Sequence, residues 1–340
     1  MIRRLCIAAV AIAAVFTFVA DAAFAIPAGE PLRLMRRPDI ADDGRIVFAY
    51  QGDLWLVPEE GGVARRLTVH VGTEDFPKFS PDGSMIAFTG DYNERRNQIN
   101  LIPADGGPAT QLTFESAGGR PVTWTKDGER IVFASTRESY VRFFKQFFSV
   151  PAAGGMPVDL GLGKASFGSF SPDGSKIALN RHSDRFWWWK RYKGSANTDV
   201  WIYDIESKSF DRKTDWEGND SWPMWTGDRI YFVSDRDGDV ANIFWLDPAT
   251  GATTQVTDYD THGITWPSMS PDGSKIVFER DHRLWTLETA TGVVREVVVY
   301  ANTDYRINTV SWVDPLDHVR SFDISPSGVR LAVEARGEIF

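Results

Sequence analysis

The apolar residues of this chain come in short β-branched and aromatic runs, each entered through a polar turn, rather than in the 3.6-residue rhythm of amphipathic helices. The clearest copies read SPDGSMIAF from Ser80, SPDGSKIA from Ser171 and SPDGSKIVF from Ser270. Weaker copies start at Ala41 (ADDGRIVFA), Thr125 (TKDGERIVFA) and Ser325 (SPSGVRLAV), and a shortened one at Thr226 (TGDRIYFVS). The starts at 41, 80, 125, 171, 226, 270 and 325 are 39, 45, 46, 55, 44 and 55 residues apart. A repeat of this period marks a propeller or a solenoid.

Within the unit, Pro presets φ, Asp bonds nearby backbone, and Gly supplies the positive φ of a tight turn. The run that follows predicts a buried strand. A second apolar strand, a Gly-rich turn and a closing strand complete the unit, as in Asp53–Val57, Glu60-Gly61-Gly62 and Ala64–Thr68. Four strands per repeat is the pattern of a propeller blade. The fold class expected is all-β: a six-bladed β-propeller of four-stranded blades over residues 26–300, followed by the start of a second propeller. The blades are expected at 34–69, 75–114, 120–162, 167–215, 221–258 and 264–300. Residues 301–318 read as a linker, and 319–340 as a truncated first blade of a second propeller. A seven-bladed ring lacking part of its last blade is the alternative.

Residues 1–25 are set apart. Arg3 and Arg4 precede the apolar run Leu5–Ala20, and Ala23-Phe24-Ala25 has the small-x-small form of a cleavage site. The run is short for a membrane span, so a signal peptide cleaved after Ala25 is expected, with export to the periplasm and no membrane contact thereafter; an uncleaved anchor is the alternative. Cys6 is the only cysteine and leaves with that segment, so no disulfide is expected. The formal charge of −9 argues against nucleic acid as a partner, since phosphate neutralisation needs clustered Lys and Arg. With 13 Trp and 13% aromatic residues, the chain can build a large core.

Two units carry insertions. One is Tyr140–Phe148 in the third unit, near its second and third strands; the other is Asp184–Asn197 in the fourth, containing Phe186-Trp187-Trp188-Trp189-Lys190-Arg191-Tyr192. Blade insertions fall in loops on one face, often the binding face. Three consecutive Trp cannot all enter one sheet's core, because strand neighbours alternate sides. They cap the channel, pack on another domain or meet ligand.

Catalytic chemistry is not evident. There is no G-x-S-x-G elbow and no H-E-x-x-H or Cys-rich metal spacing, and His70, His182, His262, His282 and His318 are scattered. Asp235, Asp237 and Asp239 alternate as calcium ligands do, but the glycine and the closing Glu are misplaced for such a loop, which favours a hairpin turn. No catalytic residue, metal or cofactor is expected.

The SPDG-x-x-I-A-F repeat is similar to that of TolB-type propellers and of prolyl-oligopeptidase-like propellers. Trp189–Gly194 followed by Asp199-Val200-Trp201-Ile202, with Arg229–Phe232 and Asp235–Gly238, narrows the resemblance to the tricorn protease family, over about residues 32–340. That resemblance implies a non-catalytic N-terminal propeller of a serine peptidase that degrades oligopeptides, the propellers serving as filters or channels to an enclosed chamber. It implies as partners peptides or the peptidase core of the same parent chain, and a homo-oligomer for the full-length protein. The family's nucleophile and catalytic histidine lie beyond residue 340 of this chain. The family also has a basic site near the end of blade two for a peptide's C-terminal carboxylate. Arg120, in Gly118-Gly119-Arg120-Pro121, falls there, although Pro121 stands where a second arginine is expected. The candidate peptide-binding residues are therefore Arg120, Trp187, Trp188, Trp189, Lys190 and Arg191. A TolB-like periplasmic protein-binding propeller is the alternative function.

Overall fold

The computed structural model describes residues 29–92, 95–139, 144–181, 191–303 and 314–340. Six antiparallel four-stranded sheets follow one another in chain order, each a simple meander. Blade 1 comprises Arg36–Ile40, Arg45–Tyr50, Asp53–Pro58 and Arg65–Arg66, and blade 2 Glu74–Phe79, Met85–Tyr92, Arg95–Pro103 and Thr110–Gln111. Blade 3 comprises Arg120–Trp124, Arg130–Ser135, Gln146–Pro151 and Val158–Lys164, and blade 4 Gly168–Phe170, Lys176–Leu179, Trp201–Asp204 and Ser209–Arg212. Blade 5 comprises Asp220–Thr226, Arg229–Ser234, Asn242–Leu246 and Thr253–Gln255, and blade 6 Thr265–Met269, Lys275–Arg280, Arg283–Glu288 and Val294–Val297.

The repeated turn forms as its residues require. Ser80 Oγ donates to Asp82 Oδ1 at 2.5 Å, the Ser84 N–H donates to the same oxygen at 3.1 Å, and Gly83 takes φ 69°. The Ser80 and Ser84 donors hold the Asp82 carboxyl down at about 2. A second device recurs at the other end of the blade. The hydroxyls of Thr68, Thr113, Thr214 and Thr257, just past the fourth strand, accept the N–H of Leu54, Ile99, Val200 and Ile243 in or beside the third.

The core lies between the blades. Because strand neighbours alternate sides, each second strand serves two seams. Ile46 and Phe48 face blade 6, while Val47 and Ala49 face blade 2. The same alternation builds the remaining seams from Phe88, Phe133, Leu179, Phe232 and Phe278. The expected third-unit insertion is shorter than the sequence suggests. Gln146–Pro151 is the third strand itself, and Phe147 and Phe148 are buried toward blades 4 and 2. Residues 140–143 lie outside the described residues.

Blade 6 packs directly on blade 1: Val277, Leu284 and Val297 share a cluster with Met35, Ile40, Ile46 and Phe48. Val299–Tyr300 then pairs in parallel with Gly62–Val63, and the Leu32 N–H donates to the Val299 carbonyl at 2.7 Å. Six blades therefore close the ring. The seventh motif forms its own three-stranded sheet, Val319–Ile324, Leu331–Ala335 and Glu338–Ile339, preceded by a short 3-10 turn at Pro315–His318. Among the described residues no helix is long and apolar enough to cross a membrane.

Candidate functional site in the central channel

The first strand of every blade lines the central axis, and five of the six carry the same local feature. An X-Pro pair stands just ahead of the repeated turn: Arg37-Pro38, Phe76-Pro77, Arg120-Pro121, Trp222-Pro223 and Trp266-Pro267, with Phe167-Gly168 in blade 4. Proline has no N–H to offer the ladder and is tolerated here because the innermost strand is a sheet edge. In blades 1, 2, 5 and 6 the register breaks across the pair, whereas in blade 3 Arg120 and Pro121 stay paired and the break follows, between Pro121 and Thr123. In those four blades the bulge re-aims the X side chain toward the axis.

Arg37, Phe76, Trp222 and Trp266 adopt φ of 49°, 51°, 54° and 50°, a left-handed conformation that bulky residues rarely hold. Side chains hold three of these backbones in place. The Arg37 N–H donates to Glu279 Oε1 at 2.5 Å, the Phe76 N–H to Asp75 Oδ1 at 2.8 Å, and the Trp222 N–H to Asn180 Oδ1 at 3.0 Å.

The six X side chains meet at the axis. The Trp266 ring centroid lies 5.4 Å from that of Phe76, 5.9 Å from Phe167 and 5.6 Å from Trp222. The Arg37 guanidinium sits 4.3 Å from the Phe76 centroid and 5.1 Å from that of Trp266. That of Arg120 sits 4.3 Å from Phe167, 5.3 Å from Phe76 and 5.9 Å from Trp266. Trp266 thus contacts a residue from each of the other five blades, and only 6% of its surface is exposed. Cation–π attraction suits such a stack, where aromatic faces replace water around the guanidinium.

Acidic groups flank the arginines. Arg37 Nη1 donates to Asp75 Oδ2 at 2.5 Å, and Arg36 Nε pairs with Glu279 Oε2 at 3.1 Å. Burial pushes the Glu279 carboxyl up to about 7, against the lowering pull of Arg36 and Arg37; burial also raises that of Asp75. Arg120 is 5% exposed and donates through Nη2 to the Ser166 carbonyl at 2.5 Å.

Above this plug the channel widens into a cavity of about 620 Å³. Its floor is the six X side chains, its walls the prolines and residues such as Thr123, Ser169 and Met224, and its mouth the turns holding Asp42, Pro81, Lys126, Pro172 and Asp272. One wall carries a cluster linking blades 1, 2 and 6. Lys78 Nζ donates to Asp39 Oδ1 at 3.0 Å and to Ser268 Oγ at 2.5 Å, Ser268 Oγ donates to Asp39, and the Phe79 N–H donates to Asp39 Oδ2 at 2.7 Å. The Asp39 carboxylate gathers all of these donors, so the cluster is a clasp between blades.

Of the residues expected from sequence, Arg120 lies in this floor. Arg191 is exposed in the loop between the second and third strands of blade 4, at the opposite end of the strands from the mouth. Trp187, Trp188, Trp189 and Lys190 lie outside the described residues. Asp235 is a structural acceptor, taking the Trp216 indole N–H at 2.9 Å and the Asn219 N–H at 2.8 Å. Among the described residues no group of three His, Cys, Asp or Glu side chains could hold a metal. Sequence reasoning missed Arg37, Phe76, Phe167, Trp222 and Trp266. The signal was the X-Pro pair recurring before the turn, which is as periodic as the turn itself.

Comparison with known proteins matches residues 32–293 to the family described as the tricorn protease N-terminal beta propeller domain. The chain belongs to this family. Tricorn protease homolog 1 of Streptomyces coelicolor is 30% identical over 255 residues, covering 73% of this chain and 23% of that protein. The tricorn protease homolog of Saccharolobus solfataricus is 26% identical over 308 residues, covering 89% and 28%. This tricorn-type propeller therefore spans about a quarter of the length of those relatives. A crystal structure of the tricorn protease superimposes with a TM-score of 0.71 at 22% identity, over 91% of this chain and 30% of that one, and shows the shared fold. A putative TolB from Agrobacterium tumefaciens follows the fold more loosely, with a TM-score of 0.50 at 19% identity over 78% of this chain and 80% of that one.

Proposed function

We propose that this propeller is a non-catalytic, peptide-end-binding module of an exported tricorn-like serine peptidase, which admits or holds oligopeptides for a peptidase core carried elsewhere in the parent protein. Family membership and the tricorn protease homologues support the association with a peptidase. The observation that carries the binding role is the placement of the Arg37 and Arg120 guanidiniums in the floor of a cavity of about 620 Å³. A cavity of that size suits a short peptide or small ligand. Guanidinium donors recognise a carboxylate through charge-assisted bonds, and an aromatic floor gives sequence-tolerant apolar contact. A peptide entering with its C-terminus first brings a carboxylate toward these cations. Homo-oligomerisation of the parent protein and its residence in the periplasm belong to the same reading.

Calorimetric titration of short peptides with free and with amidated C-termini tests it. Free peptides should bind about tenfold or more tightly than amidated ones, and Arg120→Ala should remove the difference. Equal binding of the two forms to the unsubstituted chain would refute the reading.

A further inference from the structure

The floor of the cavity is closed, and its chemistry restricts what can rest on it. Trp266 reaches the axis from blade 6 and meets residues of blades 1 to 5. Phe167, Trp222 and Trp266 are each at least nine-tenths buried, so the plug is packed as tightly as a core. Two further observations point to a built seat. Four bulky X residues hold left-handed backbone at one level of the channel, which fixes their side chains at the axis in four blades at once. Trp222 lines the cavity, and its buried indole N–H has no hydrogen-bond acceptor among the described residues.

We propose that the channel is a one-ended receptor in which an apolar C-terminal side chain of a peptide seats against Trp266 and Trp222, so that Trp266 determines which peptide ends fit. The peptide enters and leaves by the same mouth, between the turns that join first and second strands. The inference rests on the peptide-end reading above and adds the selectivity and the direction of travel. A terminal Phe or Leu stacks on aromatic faces and covers apolar surface. A terminal Ala leaves the floor uncovered. A terminal Lys brings a third cation toward Arg37 and Arg120 and must shed its water to do so.

Three tripeptides with free C-termini, Ala-Ala-Phe, Ala-Ala-Ala and Ala-Ala-Lys, titrated calorimetrically into the full chain, test the proposal. Phe should bind about tenfold more tightly than Ala, with Lys weakest. Trp266→Ala should shrink the Phe-over-Ala ratio to about threefold or less, whereas Trp266→Phe, which keeps a ring, should preserve most of it. Should Trp266→Ala fail to fold, the ranking on the unsubstituted chain and on Trp266→Phe still decides. Binding of all three peptides with equal affinity, or a ratio unmoved by a folded Trp266→Ala, overturns this proposal alone. Failure of every peptide to bind overturns the peptide-end reading with it.

Discussion

Arg120 and Trp266 come from blades 3 and 6, on opposite sides of the ring, yet the Arg120 guanidinium lies 5.9 Å from the Trp266 ring centroid. Contact across the full width of the channel means that the axis is filled at this level by side chains. The resemblance to peptide-filtering propellers implies a passage; in this chain the passage has a floor. Four of its six components arise from a local rule, an X-Pro bulge in the innermost strand, shared by blades 1, 2, 5 and 6.

The acid beneath Arg37 makes stability depend on pH. Glu279 is 7% exposed, and burial lifts its carboxyl from the ordinary 4.5 to about 7. The folded state therefore holds this proton more tightly than the unfolded chain does. Its contribution favours folding at low pH and is lost as pH rises from about 4.5 through 7. The loss is on the order of 3 kcal/mol, because each tenfold gain in proton affinity corresponds to about 1.4 kcal/mol. Asp75, also raised, acts with the same sign. Urea unfolding at pH 5 and pH 8 should show Glu279→Gln with a clearly flatter pH dependence than the unsubstituted chain. An unchanged slope would place the titration elsewhere.

Phe48, Phe88, Phe133, Phe232 and Phe278 occupy equivalent places on the second strands and are at most 1% exposed. Truncation of any one to Ala should cost about 3–5 kcal/mol, and of the blade-4 equivalent Leu179 about 2–5 kcal/mol. Chemical denaturation measures this directly. Losses below about 1 kcal/mol at most of these sites would contradict the inter-blade seams.

Much of this framework is legible in the sequence, because the turn and the strand after it obey local chemistry: Pro, Asp and Gly fix the turn, and β-branched and aromatic residues fill the strand. The blade boundaries follow from the repeat to within a few residues. The plug is less legible. Trp222 and Trp266 read as ordinary strand aromatics until the bulge turns them inward, and their meeting at the axis depends on ring closure, which brings together residues far apart in sequence. Ring closure itself rests on Val299–Tyr300 pairing with Gly62–Val63, two short segments with no motif of their own. Arg120 was found through the resemblance, and its partner cation Arg37 was not.

The closing seam can be opened selectively. A Cβ at Gly61 would collide with the Val298 carbonyl oxygen, and Gly61 holds φ 83°, so the backbone must shift to admit a side chain. Gly61→Ala should destabilise the fold by about 1 kcal/mol or more and raise hydrogen exchange at Gly62 and Ala64, whose amides donate to the Val298 and Tyr300 carbonyls. Exchange rising equally in all six blades would argue against a weak point at this seam.

The chain is expected to lack peptidase activity. Among the described residues of the channel, Ser268 meets a potential base in Lys78, but both are tied to Asp39, which keeps the lysine paired. Fluorogenic peptides and a serine-directed probe should report no turnover and no labelling. Turnover abolished by Ser268→Ala would show that the clasp is a catalyst.

The most direct test of the account asks whether a peptide's end reaches the plug. Labelling with 5-fluorotryptophan gives one fluorine signal per Trp, and Trp266→Phe identifies that of Trp266. Ala-Ala-Phe with a free C-terminus should shift the Trp266 and Trp222 signals in proportion to occupancy, and the amidated peptide should shift them far less at the same concentration. Shifts confined to other tryptophans, with those of Trp266 and Trp222 unmoved at saturation, would place the ligand outside the channel and contradict the account.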